Sequence, residues 1–140
     1  MSRYGWDDFS FQIDKADGGA LQEMKTYILS FNGLSIEAIL EEVTVAGSSW
    51  EMSDFVGLKR GEDLTIGLLY DDTATTGPDV VFGIAGATSA LVSRSVVITW
   101  GGSKTSSFEA FLKTYRRIPA KGVITKCEAV LTPSSTITEV

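Results

Sequence analysis

The last third of the chain consists of successive β-patterned segments, and this pattern limits the possible folds more than any other feature. A Gly-Gly turn and a Pro-Ala-Lys-Gly turn separate the three segments, which are 95–100, 107–117 and 123–131. In the first segment Val96, Ile98 and Trp100 share one face, as alternate residues of a strand do. The pattern predicts a mainly β protein.

The two later segments carry apolar residues on both faces. In 107–117, Phe108 and Leu112 occupy one face, whereas Phe111 and Tyr115 occupy the other. The third segment is predicted to begin at Val123. A strand that is apolar on both sides needs a second layer or a neighbouring subunit to cover it. These segments therefore indicate a building block that commits faces or edges to neighbours.

The rest of the chain is also predicted to be mostly β. Alternating or β-branched patterns indicate strands over 9–14, 26–31, 35–46 and 63–71. A short helix is expected to begin at Gly77-Pro78 and to run across Val-Val-Phe-Gly-Ile-Ala-Gly, because proline suits the first helical turn. Residues 47–62 show no clear period and are expected to form a long loop. Terminal arms are expected over 1–8 and 133–140.

Length and composition indicate one domain over 1–140, made in a cytosol. No apolar run approaches the roughly 20 residues that span a bilayer, and the N-terminus lacks the pattern of a secretory signal. No membrane insertion is expected. The single cysteine, Cys127, excludes an internal disulfide. The net charge of −6 argues against tight nucleic-acid binding, which needs cations that displace counterions from phosphates.

Charge is distributed unevenly along the chain. Residues 1–79 hold 15 acids and 5 bases, and residues 80–140 hold 3 acids and 7 bases, so the two parts carry −10 and +4. One interpretation is electrostatic complementarity between identical subunits joined head to tail. The other is that strands from both parts interleave and cancel the asymmetry locally. The first interpretation predicts inter-subunit contacts for the cations Arg94, Lys113, Arg116, Arg117 and Lys121.

The search for catalytic chemistry gives negative results. The chain has no histidine, which excludes Ser-His-Asp and Cys-His arrangements and histidine metal sites. Residues 101–105 lack the glycine spacing of a phosphate loop and are expected to form a hairpin turn. Asp71, Asp72 and Asp79 match no calcium loop and are expected to be solvated turn residues. Cys127 is expected to be a small core residue. We expect no enzyme activity, no cofactor and no metal.

The order of several segments resembles bacteriophage major tail (tail tube) proteins. The resemblance is carried by Leu-Glu-Glu-Val-Thr-Val-Ala-Gly at 40–47, Gly-Leu-Lys-Arg at 57–60 and Leu-Thr-Ile-Gly-Leu-Leu-Tyr-Asp-Asp at 64–72. It continues with Val-Val-Ile-Thr-Trp-Gly-Gly at 96–102 and Pro-Ala-Lys-Gly at 119–122, and it spans roughly residues 9–138. Relatives of this pattern include tubes of long non-contractile tails, gene-transfer particles and, more distantly, secretion-system tube proteins.

The resemblance implies a β-sandwich or barrel-like core with one short flanking helix and a long stacking loop. It also implies that six copies join their sheets edge to edge in a ring, and that rings stack into a tube. The tube would belong to a virion tail assembled in the bacterial host cytoplasm. Implied partners are other copies of the chain and the tail terminator, tail tip and tape measure proteins.

The implied lumen is acidic. Six chains of charge −6 carry −36, so the lumen is expected to repel DNA phosphates and to let the genome slide through during ejection without specific binding. The acids suggested for it, from their strand positions, are Glu37, Glu41, Glu109 and Glu128.

Ring-to-ring stacking is assigned to the loop 47–62, because interfaces favour the anchor types it contains. The residues expected to take part are Trp50, Met52, Phe55, Leu58, Lys59 and Arg60. The alternative is that these side chains fold back and cap the core of their own subunit. The arms are expected to reach neighbouring rings or to be disordered in the free subunit.

Two other functions stay open. The tube of a contractile injection or secretion system would carry protein effectors instead of DNA. A monomeric β-sandwich binding module would use Trp6, Trp50 or Trp100 as an exposed platform for a carbohydrate or another ligand.

Overall fold

The computed structural model describes residues 3–14, 20–47, 49–51, 53–73, 77–82 and 93–140, with the backbone alone at 55–57. Within these ranges the protein is mainly β, as predicted. The strands are β1 (Ser10–Asp14), β2 (Leu21–Glu23), β3 (Ile28–Phe31), β4 (Ile36–Glu42), β5 (Ser53–Gly61), β6 (Leu64–Leu69), β7 (Arg94–Gly101), β8 (Lys104–Ile118), β9 (Lys126–Pro133) and β10 (Thr138–Glu139). A 3₁₀ turn spans Trp6–Asp8, and the helix α1 spans Pro78–Val81. No helix in these ranges is long and apolar enough to cross a membrane.

Most of these elements fall on predicted segments, with differences at their ends. The helix begins at Pro78 as expected, but its predicted continuation over 83–86 lies outside the described residues. β9 begins at Lys126 and not at Val123. The reason is local: Gly122 has a φ of 81°, and the N–H of Val123 donates to Ala120 O at 3.4 Å, so Val123 belongs to the turn.

The main sheet is antiparallel and strongly curled. Its order is β2-β1-β7-β8-β9-β6-β3, and β10 pairs with β8. In a flat sheet of this order β2 and β3 would lie about 29 Å apart, at roughly 4.8 Å per strand. Only residues 24–27 join them, and so short a link spans at most about 18 Å. The sheet therefore curls until its terminal strands approach each other, which gives a barrel-like sandwich.

The curled sheet encloses an apolar core. Alternate residues of five strands point into it, including Phe11, Ile13, Leu64, Ile66, Val96, Ile98, Phe108, Leu112, Ala129 and Leu131. The ring of Phe31 in β3 lies 6.2 Å from that of Phe11 in β1 and 6.2 Å from that of Trp100 in β7. The last strand of the sheet, β3, thus packs across the core against β1 and β7. Burial of this face stabilises the fold by roughly 25 cal/mol per Å² of apolar surface.

A β-bulge in β8 reverses the side-chain alternation that the sequence predicted for this strand. Pairing with β9 shifts after Leu112, so the later residues change faces. Tyr115 lies opposite the buried Ala129 and stacks on Phe82, with ring centroids 6.1 Å apart. The prediction that Tyr115 shares a face with Phe111 is therefore wrong, since Phe111 is exposed and Tyr115 packs against the core.

The segment predicted as a long loop, 47–62, is mostly strand. β5 pairs with β4 in a separate two-stranded sheet, from Ile36 opposite Gly61 to Glu42 opposite Ser53. We call residues 36–61 the hairpin. Its adjacent residues Leu58 and Lys59 are both exposed. The described side chains of β5 before Gly61 are all exposed, and a strand side that is not buried imposes no alternation on its residues. This explains why the sequence showed no period.

The described part of the N-terminal arm, residues 3–8, lies on its own subunit. Tyr4 rests on the Gly101–Gly102 turn, where a Cβ at Gly101 would lie 2.6 Å from the tyrosine ring. Trp6 stacks on Phe9 with centroids 5.3 Å apart. The turn at 101–102 joins β7 to β8 as a hairpin, as predicted.

The C-terminal arm, 133–140, also lies on its own subunit. The N–H of Ser134 donates to Glu109 O at 2.8 Å, and β10 pairs with the first half of β8. Val140 and Thr105 then exchange two backbone hydrogen bonds of 3.0 and 3.2 Å. The expectation of a disordered arm is wrong for this segment, because β8 offers it an open edge there.

Candidate assembly surfaces

The hairpin carries exposed apolar side chains along its length. Ile36, Leu40, Leu58 and Trp50 are 58, 59, 59 and 80% exposed. A two-stranded sheet alone is marginally stable in water, and free strand edges readily pair with other chains. Within the described residues neither outer edge of the hairpin is paired. The hairpin is therefore the first candidate surface for assembly.

The base of the hairpin is fixed to the main sheet. Across its two strands Arg60 Nε donates to Glu37 Oε2 at 3.0 Å. Gly61 approaches Pro133 so closely that a Cβ at Gly61 would lie 2.8 Å from the proline ring. The base is held in this way, while the distal residues extend into solvent.

The predicted stacking residues lie on the hairpin. Leu58, Lys59 and Arg60 line a groove of about 730 Å³ against residues 133–137. Met52 and the side chain of Phe55 lie outside the described residues. The alternative, in which this segment caps its own core, does not hold for Trp50 and Leu58, because both are exposed.

The distal part of the hairpin, residues 41–54, is acidic. Its carboxylates are Glu41, Glu42, Glu51 and Asp54, and its sequence contains no lysine or arginine. Glu41 lies directly opposite Asp54, and like charges in that arrangement destabilise the strand pair. Val43 and Val45 add exposed apolar side chains. We call residues 41–54 the acidic tip.

The turn between β8 and β9 has the opposite charge. Residues 116–126 contain no carboxylate, and their cations are Arg116, Arg117, Lys121 and Lys126. Among the described residues no ion pair involves Lys121 or Lys126. Val123 and Ile124, beside them, are 56 and 72% exposed. We call residues 116–126 the basic tip. Lys126 was not among the predicted site residues. The sequence does carry a signal for it, because the acids of 41–54 and the cations of 116–126 are segregated along the chain.

Arg94 lies inside the subunit, so the prediction that it contacts a neighbouring subunit is wrong. Its side chain is 1% exposed, and its Nη1 donates to Val81 O at 2.6 Å. Its guanidinium lies over the ring of Phe82, 5.8 Å from the centroid. Arg94 is in phase with the buried Val96 and Ile98, and this alternation was the available signal in the sequence.

Three further cations that were predicted to meet neighbours make ion pairs within the subunit. The pairs are Lys113 with Asp63 at 3.0 Å, Arg116 with Glu128 at 3.3 Å and Arg117 with Asp79 at 2.8 Å. The hydrogen bonds from Lys113 and Thr132 lower the pKa of Asp63. Exposed pairs of this kind contribute little to stability. An inter-subunit role for these cations and for the exposed Lys121 stays a prediction.

Asp79 joins α1 to β8. Tyr115 Oη donates to its Oδ1 at 2.7 Å, and Arg117 contacts both carboxylate oxygens at 2.8 and 3.1 Å. Burial raises the pKa of Asp79, but the hydrogen bonds from Arg117 and Tyr115 outweigh it and leave the pKa below its ordinary value. Asp79 is thus a structural carboxylate and not the solvated turn residue that the sequence suggested. The described residues include no group of three or more His, Cys, Asp or Glu side chains that could hold a metal ion.

Cys127 lies in the core, as predicted, and is 1% exposed. Burial raises the pKa of its thiol. A protonated, buried thiol is a poor nucleophile, so its role is packing.

The four predicted lumen acids lie on two separate parts of the subunit. Glu37 and Glu41 are on the hairpin, whereas Glu109 and Glu128 are on the outer face of the main sheet. Glu37 and Glu128 form ion pairs with arginines of the same subunit. Glu109 accepts a hydrogen bond from Ser95 Oγ at 2.7 Å. These four acids therefore do not form one surface of a single subunit.

The outer face of β1, β7 and the first half of β8 is polar and contains no cation. Its side chains, all half-buried, are Ser10, Gln12, Ser95, Val97, Thr99, Thr105, Ser107 and Glu109. We call this surface the polar face. At its margin Asp14 accepts a hydrogen bond from the N–H of Ser95 at 3.0 Å, yet burial raises the pKa of Asp14 above its ordinary value.

The chain has the fold of tail and tube proteins of solved assemblies, although no protein-family profile and no curated protein matches its sequence. A chain from the tail of an empty gene-transfer-agent particle, refined with C6 symmetry, has a TM-score of 0.73 at 10% identity and covers 99% of both chains. A chain from the 6-fold symmetrised baseplate of the anti-feeding prophage also gives 0.73 at 10% identity, over 100% of this chain and 97% of that one. The SPP1 tail tube gives 0.56 at 9% identity, over 97% and 77%. The predicted resemblance is confirmed at the level of the fold.

Proposed function

We propose that the chain is a structural tube subunit of a phage-like tail. The observation that carries this proposal is the end-to-end fold match to chains of a gene-transfer-agent tail and of the anti-feeding prophage baseplate. Several large apolar side chains of the hairpin, Trp50 and Leu58 among them, are exposed, and they support it, because interfaces favour such side chains as anchors.

Six copies form the ring, and rings stack into the tube. The C6 symmetry of the gene-transfer-agent tail and the 6-fold symmetry of the prophage baseplate support this number. Contacts in the ring and between rings hide the free edges of the hairpin from solvent. A heterologous contact repeated along an axis then produces a tube. Within it the hairpin residues Trp50, Leu58 and Lys59 make the ring-to-ring contact.

The polar face lines the lumen, which conducts DNA during ejection. Its small hydroxyl side chains and Glu109 present no cation to DNA phosphates, so the duplex has nothing to bind and slides. Six copies also carry −36 in total, and a cleft or channel of one sign repels ions of that sign. Of the four acids suggested by the sequence, only Glu109 belongs to this face.

The location and partners follow from the tube. The subunit belongs to a virion tail assembled in the host cytoplasm, and it meets the tail terminator, the tail tip and the tape measure protein. Similar chains in a baseplate structure and in a sheath/tube terminator structure of an extracellular contractile injection system, with TM-scores of 0.73 and 0.65, support contacts at both ends of a tube.

The tube of a contractile injection system is the second candidate function. The prophage baseplate chain matches as well as the gene-transfer-agent chain does, with a TM-score of 0.73 for each. The two functions differ in cargo. Neighbouring genes for a sheath and for effectors would favour the injection system, whereas genes for a capsid and a tape measure protein would favour the virion tail. A monomeric binding module is a third candidate; of its three suggested platform residues, Trp100 packs against the core, whereas Trp6 and Trp50 are 55 and 80% exposed.

Sedimentation velocity over a concentration series tests the proposed function. A tube subunit is expected to shift from a slow monomer to large species as concentration rises, since tubes grow by repeated addition of one chain. A single monomeric species at every concentration would contradict self-assembly by this chain.

A further inference from the structure

We propose that the acidic tip of one copy binds the basic tip of a second copy. The inference rests on the proposed tube function and names the surface that receives the hairpin. The partner that binds the basic tip is a second copy of this chain in the same orientation.

The two tips lie at opposite ends of the subunit. The hairpin ends at Gly61, and β6 begins shortly afterwards at Leu64. The other end of β6, Leu69, lies opposite Lys126, which belongs to the basic tip. The six residues of β6 separate the two ends by about 17 Å. The described side chains of the distal hairpin, 40–47, 49–51 and 53–54, are all exposed, as expected of a hairpin that does not pack back onto the sheet.

The charges of the two tips are complementary. The acidic tip has four carboxylates and no cation, and the basic tip has four cations and no carboxylate. Arg116 and Arg117 contact carboxylates of their own subunit, so the ammonium groups of Lys121 and Lys126 are the cations offered outward.

Apolar surface accompanies the charge on both tips. The acidic tip exposes Val45 and Trp50 by 64 and 80%, and the basic tip exposes Val123 and Ile124 by 56 and 72%. An interface generally combines an apolar centre with a charged rim, and the charges set orientation and exclude wrong partners. Two acidic tips or two basic tips would repel each other, so the charge pattern disfavours arrangements that join like tips. Between copies in the same orientation the contact joins two different surfaces, so it is heterologous and can repeat along an axis.

Charge reversal with mixing tests this contact. One variant replaces all four carboxylates of the acidic tip with lysine (Glu41→Lys, Glu42→Lys, Glu51→Lys and Asp54→Lys), so both of its tips are basic. The other carries Lys121→Glu and Lys126→Glu. Because Arg116 and Arg117 stay paired within the subunit, both of its tips then present carboxylates outward. Each variant alone should assemble at least about tenfold more weakly than wild type, because every contact then joins like charges. A mixture of equal amounts should recover assembly to within roughly twofold of wild type, since each hairpin again meets a tip of opposite charge.

Neutral variants and a remote charge change serve as controls. Glu42→Gln with Glu51→Gln should weaken assembly less than charge reversal does, and Asp7→Lys, on the 3₁₀ turn, should leave it unchanged. Raising the NaCl concentration from about 0.1 M to 1 M, which shortens the screening length from roughly 10 to 3 Å, should weaken wild-type assembly and reduce the defect of each variant. Sedimentation velocity and negative-stain electron microscopy provide the readouts, and circular dichroism checks the fold of each variant.

The outcomes separate this contact from the proposed function. If wild type forms tubes and each variant assembles as well as wild type does, the contact is overturned and the tube function stands. The same holds if wild type forms tubes but the mixture assembles no better than its two components. Small wild-type oligomers that obey the charge pattern without forming tubes would support the contact and overturn the tube function. A wild type that stays monomeric under all conditions would overturn both.

Discussion

Arg117 contacts both carboxylate oxygens of Asp79, at 2.8 and 3.1 Å, and thereby ties α1 to β8 beside the basic tip. The guanidinium also lies over the ring of Tyr70, 5.9 Å from the centroid. A two-point contact of this geometry fixes orientation as well as charge. Arg117 of the basic tip therefore stabilises its own subunit. The cations of the basic tip that are left for contact with a neighbour are Lys121 and Lys126.

Asp79→Asn should destabilise the subunit at neutral pH, because asparagine keeps the shape but loses the charge that Arg117 contacts. The pKa of Asp79 lies below its ordinary value of 3.8. Its ionised form therefore stabilises the fold above that pH, and this contribution is lost as pH falls through the folded-state pKa. Urea unfolding should show a difference between wild type and variant at neutral pH that shrinks below pH 3.8. Asp72→Asn, at an exposed neighbouring position, is the control; a difference that does not depend on pH would count against the charged contact.

Arg94→Ala should destabilise the monomer itself, because the side chain is buried and its hydrogen bond to Val81 O is lost. We expect a loss of about 2–3 kcal/mol in the free energy of unfolding, the range for a buried charged donor and its packing. Arg116→Ala, at an exposed position, should change it by less than about 0.5 kcal/mol. Chemical denaturation measures both. Similar small effects for the two variants would show that Arg94 is a surface residue.

Gly102→Ala should destabilise the β7–β8 turn and release the N-terminal segment. Gly102 has a φ of 57°, and a Cβ there would overlap the hydroxyl of Tyr4. Left-handed backbone alone costs alanine about 1 kcal/mol. In the double variant with Tyr4→Ala the overlap disappears, so the combined loss should be smaller than the sum of the single losses by at least about 0.5 kcal/mol. Additive losses would mean that Tyr4 does not rest on this turn.

Trp50→Ala and Leu58→Ala should separate folding from assembly. Both side chains are mostly exposed in the subunit, so each substitution should change the free energy of unfolding by less than about 0.5 kcal/mol. Each should weaken self-association at least about tenfold, which corresponds to roughly 1.4 kcal/mol per contact. Leu29→Ala, an exposed apolar position on β3, is the matched control. Unfolding curves give the free energy of unfolding, and sedimentation velocity gives the strength of self-association. If the hairpin variants associate as strongly as wild type does, the hairpin is not part of the interface.

The strands that form the core could be predicted from the sequence, because burial on one side imposes a period of two. Leu64, Ile66 and Leu68 are an example, since all three are fully buried. The same rule applied strictly would have placed Arg94 inside, in phase with Val96. The sequence also indicated that strand faces or edges of this chain contact neighbouring subunits, but its pattern did not identify the strands that do so.

Other features depend on contacts that no local pattern records. The bulge after Leu112 turns Tyr115 inward, and a bulge leaves no distinctive mark in residue types. The described side chains of β5 before Gly61 are all exposed, so no period marks residues 53–61 as a strand in the sequence. The opposite placement of the two tips follows from the pairing of Leu69 with Lys126, which only the assembled sheet reveals.

Electron microscopy of wild-type protein at high concentration, with class averages of end views, tests the tube-subunit claim most directly. The predicted result is a hollow ring with the 6-fold symmetry of the similar assemblies, stacked into tubes that dissociate as salt rises. Compact single subunits at every concentration, or closed dimers without a lumen, would contradict it.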